Sequence, residues 1–257
     1  MNREALLTLV VLSIALILIS GFASAQEGLP LPFPNLNIGV REAQSPRDVA
    51  ITLEILFVLT IITLAPAILV MMTSFTRIVI VLSFVRQAIG TQQIPSNQII
   101  IGLALFMTFF IMTPVGKEIN DKALQPYLAG RIDRQTAFNQ AIAPLRRFMF
   151  SQTREGDIEL FMHFSGKKVP VSGPDEVPTL TLIPAFVVSE LKTAFMMALF
   201  IYIPFLIIDM VVASTLMSMG MLMLPPVMIS LPFKILLFIA VDGWHMIVGS
   251  LLQSFGT

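Results

Sequence analysis

Four long apolar blocks, interrupted by a single charged stretch, set the pattern of this chain. Residues 55–89, 98–115, 186–212 and 227–252 are each almost wholly apolar, and each reaches the roughly 17–25 residues that a helix needs to cross a bilayer. The first block is too long for one ordinary span and carries Pro66, Thr73, Ser74, Arg77 and Arg86. Divided near 73–76, it predicts a helix of spanning length followed by a shorter helix bearing the two arginines. The linker G-T-Q-Q-I-P-S-N at 90–97 predicts a turn closing a helical hairpin, with Ser96 or Asn97 as the N-cap.

Residues 116–184 behave differently. They hold 17 of the chain's 32 charged residues, nine basic and eight acidic, and so belong in water. Within them, Phe138, Ile142, Leu145, Phe148 and Met149 recur at helical spacing over 135–154. The stretch V-P-V-S-G-P-D-E-V-P at 169–178 is an irregular connector. The expectation is about 70 residues of mainly helical structure, small for an independent core. Phe148, Phe150 and Phe161 are candidates for contacting a partner, or equally for the segment's own core. The predicted fold class is all-α, with apolar helical hairpins at 51–115 and 186–257 around a small, mainly helical polar domain at 116–185.

The first residues form a targeting segment. Arg3 supplies the positive start, 5–19 the apolar run, and Ala23-Ser24-Ala25 an A-x-A signal for cleavage after Ala25. The alternative is an uncleaved anchor helix. Residues 26–50, with prolines, glycines and asparagines, predict a loose arm outside the cytoplasm. With the 55–89 and 98–115 blocks counted as two crossings, the polar domain lies outside as well. The short inner loops near 90–97 and 218–226 contain no lysine or arginine, so the positive-inside rule anchors this topology weakly. Protein neighbours would then hold the apolar blocks as much as the bilayer does.

Composition supports a membrane-associated class: 56% of residues are hydrophobic and 12% charged, with a net charge of zero. No bulk basic field draws nucleic acid. The absence of cysteine removes disulfides, thiolate metal sites and thiol catalysis. Charged residues nevertheless stand in or at the edges of the apolar runs: Glu54, Arg77, Arg86, Glu190, Lys192, Asp209, Lys234 and Asp242. A charge at the bilayer centre costs on the order of 2.5–3.5 kcal/mol, so such groups pair, face a polar cavity or snorkel. Three readings stay open: ion pairs fixing helix or subunit register, snorkelling at helix ends (Glu54, Asp242), and a proton or ion relay.

The segment V-A-S-T-L-M-S-M-G-M-L-M-L-P-P-V at 212–227 is the most distinctive. Met217, Met219, Met221 and Met223 recur every second residue and so cannot share one helical face. Gly220, Pro225 and Pro226 discourage a continuous helix there. A loop of unbranched thioether side chains between apolar segments makes a deformable seal, or merely fills an irregular apolar region. Catalytic signals are weak. Ser189 and Lys192 match S-x-x-K without its companion motifs, His163 and His245 lack ligand spacing, and no glycine-rich phosphate loop is present. Neither cofactor nor metal is expected. Trp244 suits packing or an interface.

Four motifs carry a resemblance: L-V-M-M-T-S-F-T-R at 69–77, R-Q-A-I-G-T-Q-Q at 86–93, S-E-L-K-T-A-F at 189–195, and P-P-V-M-I-S-L-P-F-K-I-L-L-F-I-A-V-D-G-W at 225–244. In this order, over roughly 52–255, the chain resembles the FliP family of flagellar export-gate proteins, whose injectisome relatives share the pattern. The 90–93 turn, the signal peptide and the D-G-W suit the flagellar branch. The resemblance implies a homo-oligomeric ring, pentameric in the family, joined by FliQ-like and FliR-like subunits in the inner membrane at the flagellar basal body. It implies helices forming a tapering spiral largely on the outer side of that membrane, and passage of unfolded substrates. It further implies that the methionine loop is a gasket closing the channel. Met221 and Met223 match this loop, with Leu222 where a methionine often stands. Gly220 would free the loop, and Pro225 and Pro226 would fix the next helix. Arg77, Arg86, Glu190, Lys192, Asp209, Lys234 and Asp242 are expected to pair helices or subunits, with Glu190 and Lys192 at subunit contacts. A secondary transporter or ion-channel subunit, and a membrane scaffold without a pore, are the alternatives, although no internal repeat favours a transporter.

Overall fold

The computed structural model describes residues 46–91, 93–166, 173, 176–221 and 223–256. The targeting segment, the cleavage position Ala25 and the arm up to residue 45 lie outside these. Among the described residues the protein is all-helical with no strand. The described α-helices follow in order: α1 Pro46–Met71, α2 Phe75–Ile89, α3 Asn97–Ile119, α4 Gln125–Leu128, α5 Arg134–Gln152, α6 Glu155–Phe164, α7 Thr179–Ser218, α8 Pro226–Ala240 and α9 Gly243–Gln253. A π-helical turn, Asn120–Leu124, joins α3 to α4. The helix thus begins at Pro46, five residues inside the expected arm. Proline suits a first helical position because its missing N–H has no partner there anyway. The expected break near 73–76 occurs, and Glu54–Thr257 forms a compact unit.

Sequence spacing explains the core. On α2 the residues Ile78, Val81, Leu82, Val85, Ala88 and Ile89 are buried at i, i+3, i+4 intervals. They pack with Ile100, Ala104, Met107 and Ile111 of α3, Ala194 and Phe205 of α7, Phe238 of α8, and Ile247 and Leu251 of α9. A second cluster gathers Met72, Met149, Ile158, Met162, Val177, Leu182 and Phe186 where α5 and α6 meet the start of α7.

α7 runs unbroken through Pro184 and Pro204, so it extends beyond both ends of the 186–212 apolar block. Proline inside an apolar helix is tolerated where neighbours re-satisfy the freed carbonyl. α3 and its extension to Leu128, and α7, are long and apolar enough to cross a membrane; α8 and α9 are bent by 62° and could make a third span only as a pair. The bend falls at Asp242, which takes left-handed φ 48°. It is enforced by Gly243, where an added Cβ would lie 2.3 Å from the Phe238 ring. We expect Gly243→Ala to cost about 1–3 kcal/mol through overpacking, measured as a lowered melting temperature in detergent. An unchanged melting temperature would show that Phe238 swings aside freely.

α5 starts at a charged cap. The Asp133 carboxylate accepts from the Gln135 N–H at 3.1 Å and from the Thr136 hydroxyl, and the Thr136 bond chiefly holds its pKa below the ordinary aspartate value. Because the folded pKa is the lower one, the cap's contribution is complete above the ordinary value. It is lost as pH falls through the lowered one.

Candidate functional site

The methionine loop begins where α7 ends, and the ending is a Schellman motif. The Gly220 N–H donates to the Met217 carbonyl and the Met221 N–H to the Leu216 carbonyl, both at 3.0 Å. Gly220 sits at φ +74°, a left-handed conformation that a Cβ would penalise. Pro225 is the extended N-cap of α8 and Pro226 its first residue, so the chain leaves one helix on a glycine and enters the next on a proline. Helix α7 runs six residues past the end of the 186–212 apolar block and stops just before Gly220. Met217 therefore lies on its last turn, and only Met219, Met221 and Met223 stand in the connection. All four are exposed: Met217 by 61%, Met219 by 71%, Met221 by 40% and Met223 by 98%. The protomer thus presents thioether side chains that it does not itself pack.

An ion pair fixes the stem of this hairpin. Asp209 of α7 accepts from the Lys234 ammonium of α8 at 2.6 Å and from the Ser230 hydroxyl at 2.6 Å. The Lys234 side chain is 4% exposed and that of Asp209 27%. The pair lies nine residues before the end of α7, roughly 14 Å along the axis at 1.5 Å per residue. It therefore sets helix separation without touching the loop. Losing one partner would leave the buried ammonium alone. We expect Asp209→Asn to cost about 2–3 kcal/mol, somewhat below the full penalty for a wholly buried pair. A melting temperature equal to that of the parent chain would contradict this.

A deeper pair stands at the centre of the protomer. The Arg77 Nε donates to Glu190 Oε2 at 2.9 Å and its Nη2 to Glu190 Oε1. The remaining donors reach the Ser254 carbonyl at 2.9 Å, the Ser254 hydroxyl at 3.0 Å and Gln152 Oε1 at 3.1 Å. The guanidinium also lies 3.8 Å over the Phe255 ring. Both side chains are sealed from solvent. One arginine thereby ties α2, α5, α7 and the turn after α9 together. The pairing is within the chain, between helices, which is the helix-pairing alternative of the expectation, and Glu190 is fully buried there.

Lys192 pairs with the buried carboxylate of Asp157 at the start of α6. This too joins helices of one protomer, although about half of the Lys192 side chain faces outward. Arg86 meets no carboxylate among the described residues. It donates to the Pro95 carbonyl at 3.2 Å and to Asn97 Oδ1 at 2.6 Å, closing the 90–97 turn. Ser96 takes the N-cap position of α3 without a side-chain bond, since Asn97 is engaged by Arg86. Asp242 forms no ion pair among the described residues; its place is the bend. Phe148 belongs to the internal core, edge-on to Phe186 and stacked on Phe255, whereas Phe161 is half-buried on α6.

Asp157, Gln152, Ser230 and Ser254, the partners of these charges, carried no motif of their own. Only the charged members, standing out in apolar runs, could be found from sequence.

Fold and loop together define a class: an all-helical, membrane-type protein whose buried charges join its own helices and whose apolar helices and methionine loop expose hydrocarbon and thioether. Residues 58–251 match the FliP family profile. Flagellar biosynthetic protein FliP of Bacillus subtilis is 56% identical over 218 residues, covering 85% of this chain and 98% of the relative. Those of Treponema pallidum and Aquifex aeolicus are 46% and 47% identical over 240 and 243 residues. These alignments cover 92% and 93% of this chain, and 87% and 97% of the relatives. The chain belongs to the FliP family, structural components of the flagellar export apparatus and not enzymes.

Proposed function

We propose that several copies of this chain surround a conduit for unfolded export substrates and that their methionine loops close it. The observation carrying this reading is the set of four exposed thioether side chains displayed at the end of a 40-residue apolar helix. An apolar constriction excludes water, and with it ions, by dewetting. Thioether side chains have three rotatable bonds and no hydrogen-bonding demand, so they yield around any passing sequence and close behind it. The Gly220 turn and the Pro225–Pro226 start limit where the loop can go, while the Asp209–Lys234 pair holds the stem. In this reading the ring is pentameric and joined by FliQ-like and FliR-like subunits in the bacterial inner membrane, with residues 116–185 on the extracytoplasmic side.

Ion conductance tests this. Vesicles carrying the assembled complex with Met221→Ala and Met223→Ala are expected to leak ions where the parent complex does not. Equal, low conductance in both would remove the gasket role. A transporter relay is less well supported: Asp209 and Lys234 neutralise one another inside the protomer, so neither is left to carry charge.

A further inference from the structure

A cleft on the polar side of the molecule has a chemistry that neither the loop nor the core employs. It measures about 460 Å³ and is lined by Lys122, Pro126, Arg131, Ile132, Ala143 and Arg147, with Gln140 and Pro144 completing it. That volume lies within the roughly 300–1,000 Å³ of small-molecule sites. Its lining combines apolar groups, from two prolines, an isoleucine and an alanine, with three cationic side chains.

Local structure sets the cationic part of this lining. The π-helical turn at Asn120–Leu124 presents Lys122. After α4, a Schellman motif turns the chain: the Gly130 N–H donates to the Tyr127 carbonyl at 3.0 Å and the Arg131 N–H to the Pro126 carbonyl at 2.9 Å. With Gly130 at φ +67°, the turn brings Arg131 into the lining of the cleft. α5 supplies Arg147 from the other side. A single carboxylate, Glu118, accepts from both Lys122 and Arg147. Lys122 and Arg147 share Glu118, which leaves Arg131 as the lining cation that no ion pair among the described residues meets.

Position narrows the ligand. From Asn97, about 20 helical residues fill the hydrocarbon thickness of a bilayer, which brings the chain to about Gly116. Exposed Phe106, Phe109 and Phe110 lie on that stretch, while Glu118 and Lys122 follow Gly116 by two and six residues, where a span begun at Asn97 would meet the headgroups. Before assembly, these apolar faces have only lipid to cover them.

We propose that this cleft binds the phosphate of an anionic phospholipid, with Arg131 and Lys122 on the phosphate and the apolar part of the lining against the glycerol. The assignment is independent of the gasket reading.

The test uses the full-length chain in detergent and native mass spectrometry, with phosphatidylglycerol, phosphatidylcholine and inorganic phosphate as probes. Phosphatidylglycerol should be retained about tenfold more than phosphatidylcholine, and Arg131→Gln should abolish most of that preference. Arg131→Lys should keep part of it, because the charge remains while the fork is lost. Glu118→Gln should raise retention by removing the competing carboxylate, a change of sign that a folding defect does not produce. Equal retention of the two lipids, or an Arg131→Gln chain that binds as the parent does, overturns the proposal. Displacement of the lipid by an equal concentration of inorganic phosphate would assign the cleft to soluble anions and overturn the lipid source.

Discussion

An Arg77→Ala chain is expected to lose about 3–5 kcal/mol of stability, because Glu190 would then be a buried, uncompensated charge. For a protein of this size each kcal/mol shifts the melting temperature by about 2–4 °C, so the expected drop is roughly 6–20 °C. Trp244, the single tryptophan, packs edge-on against Phe238 with ring centroids 5.3 Å apart, and its fluorescence can follow the transition. Glu190→Gln should be nearly as harmful, since it leaves the guanidinium unpaired. The double variant Arg77→Met with Glu190→Leu should recover much of the loss, as buried pairs replaced by apolar groups of similar volume often cost little. Recovery should be incomplete because Gln152 and the Ser254 carbonyl lose their donor. Additive losses in the double variant would show that the two groups act separately.

Alanine at Met221 and Met223 should have the largest functional effect. Each substitution removes two methylene-sized groups and a methyl from the constriction proposed above, and apolar area is what keeps water out. A barrier lowered by only about 1.4 kcal/mol multiplies passage tenfold, so ion leakage should rise by at least that order. Export itself should survive in the leaking variants, since a wider opening still passes a chain. Leucine at the same positions should separate sealing from pliability. It keeps the apolar surface but is branched and stiffer, so it should hold the seal while slowing substrate passage. Leakage from the leucine variants equal to that from alanine would mean that thioether chemistry, and not apolar bulk, makes the seal.

How much of this was legible before the structure depends on the kind of signal. Apolar spacing marked α5, the polar interruption near 73–76 marked the start of α2, and the Gly220 and Pro225–Pro226 punctuation located the end of α7 within a few residues. Charges in apolar runs identified Arg77, Glu190, Asp209 and Lys234 as groups requiring partners. Which partner each takes was not legible, because pairs such as Arg77–Glu190 are 113 residues apart and only packing brings them together. Lys192 finds Asp157 through the docking of α6 on α7, and Phe148 turns inward because Phe255 folds back over α5. The length of α7 was also hidden, since prolines at 184 and 204 that would weaken a soluble helix are accommodated here. The 62° bend between α8 and α9 left only one trace in the sequence, Gly243, whose missing side chain makes room for Phe238.

The chain has no native cysteine, so a single thiol placed by Met223→Cys reports its surroundings without background. In the assembled complex, mild oxidation should link the loops of different copies, and a stalled substrate carrying one cysteine should crosslink to the same position. A thiol that reacts freely with soluble reagents yet joins neither a second copy nor the substrate would contradict the claim that these loops meet around a shared conduit.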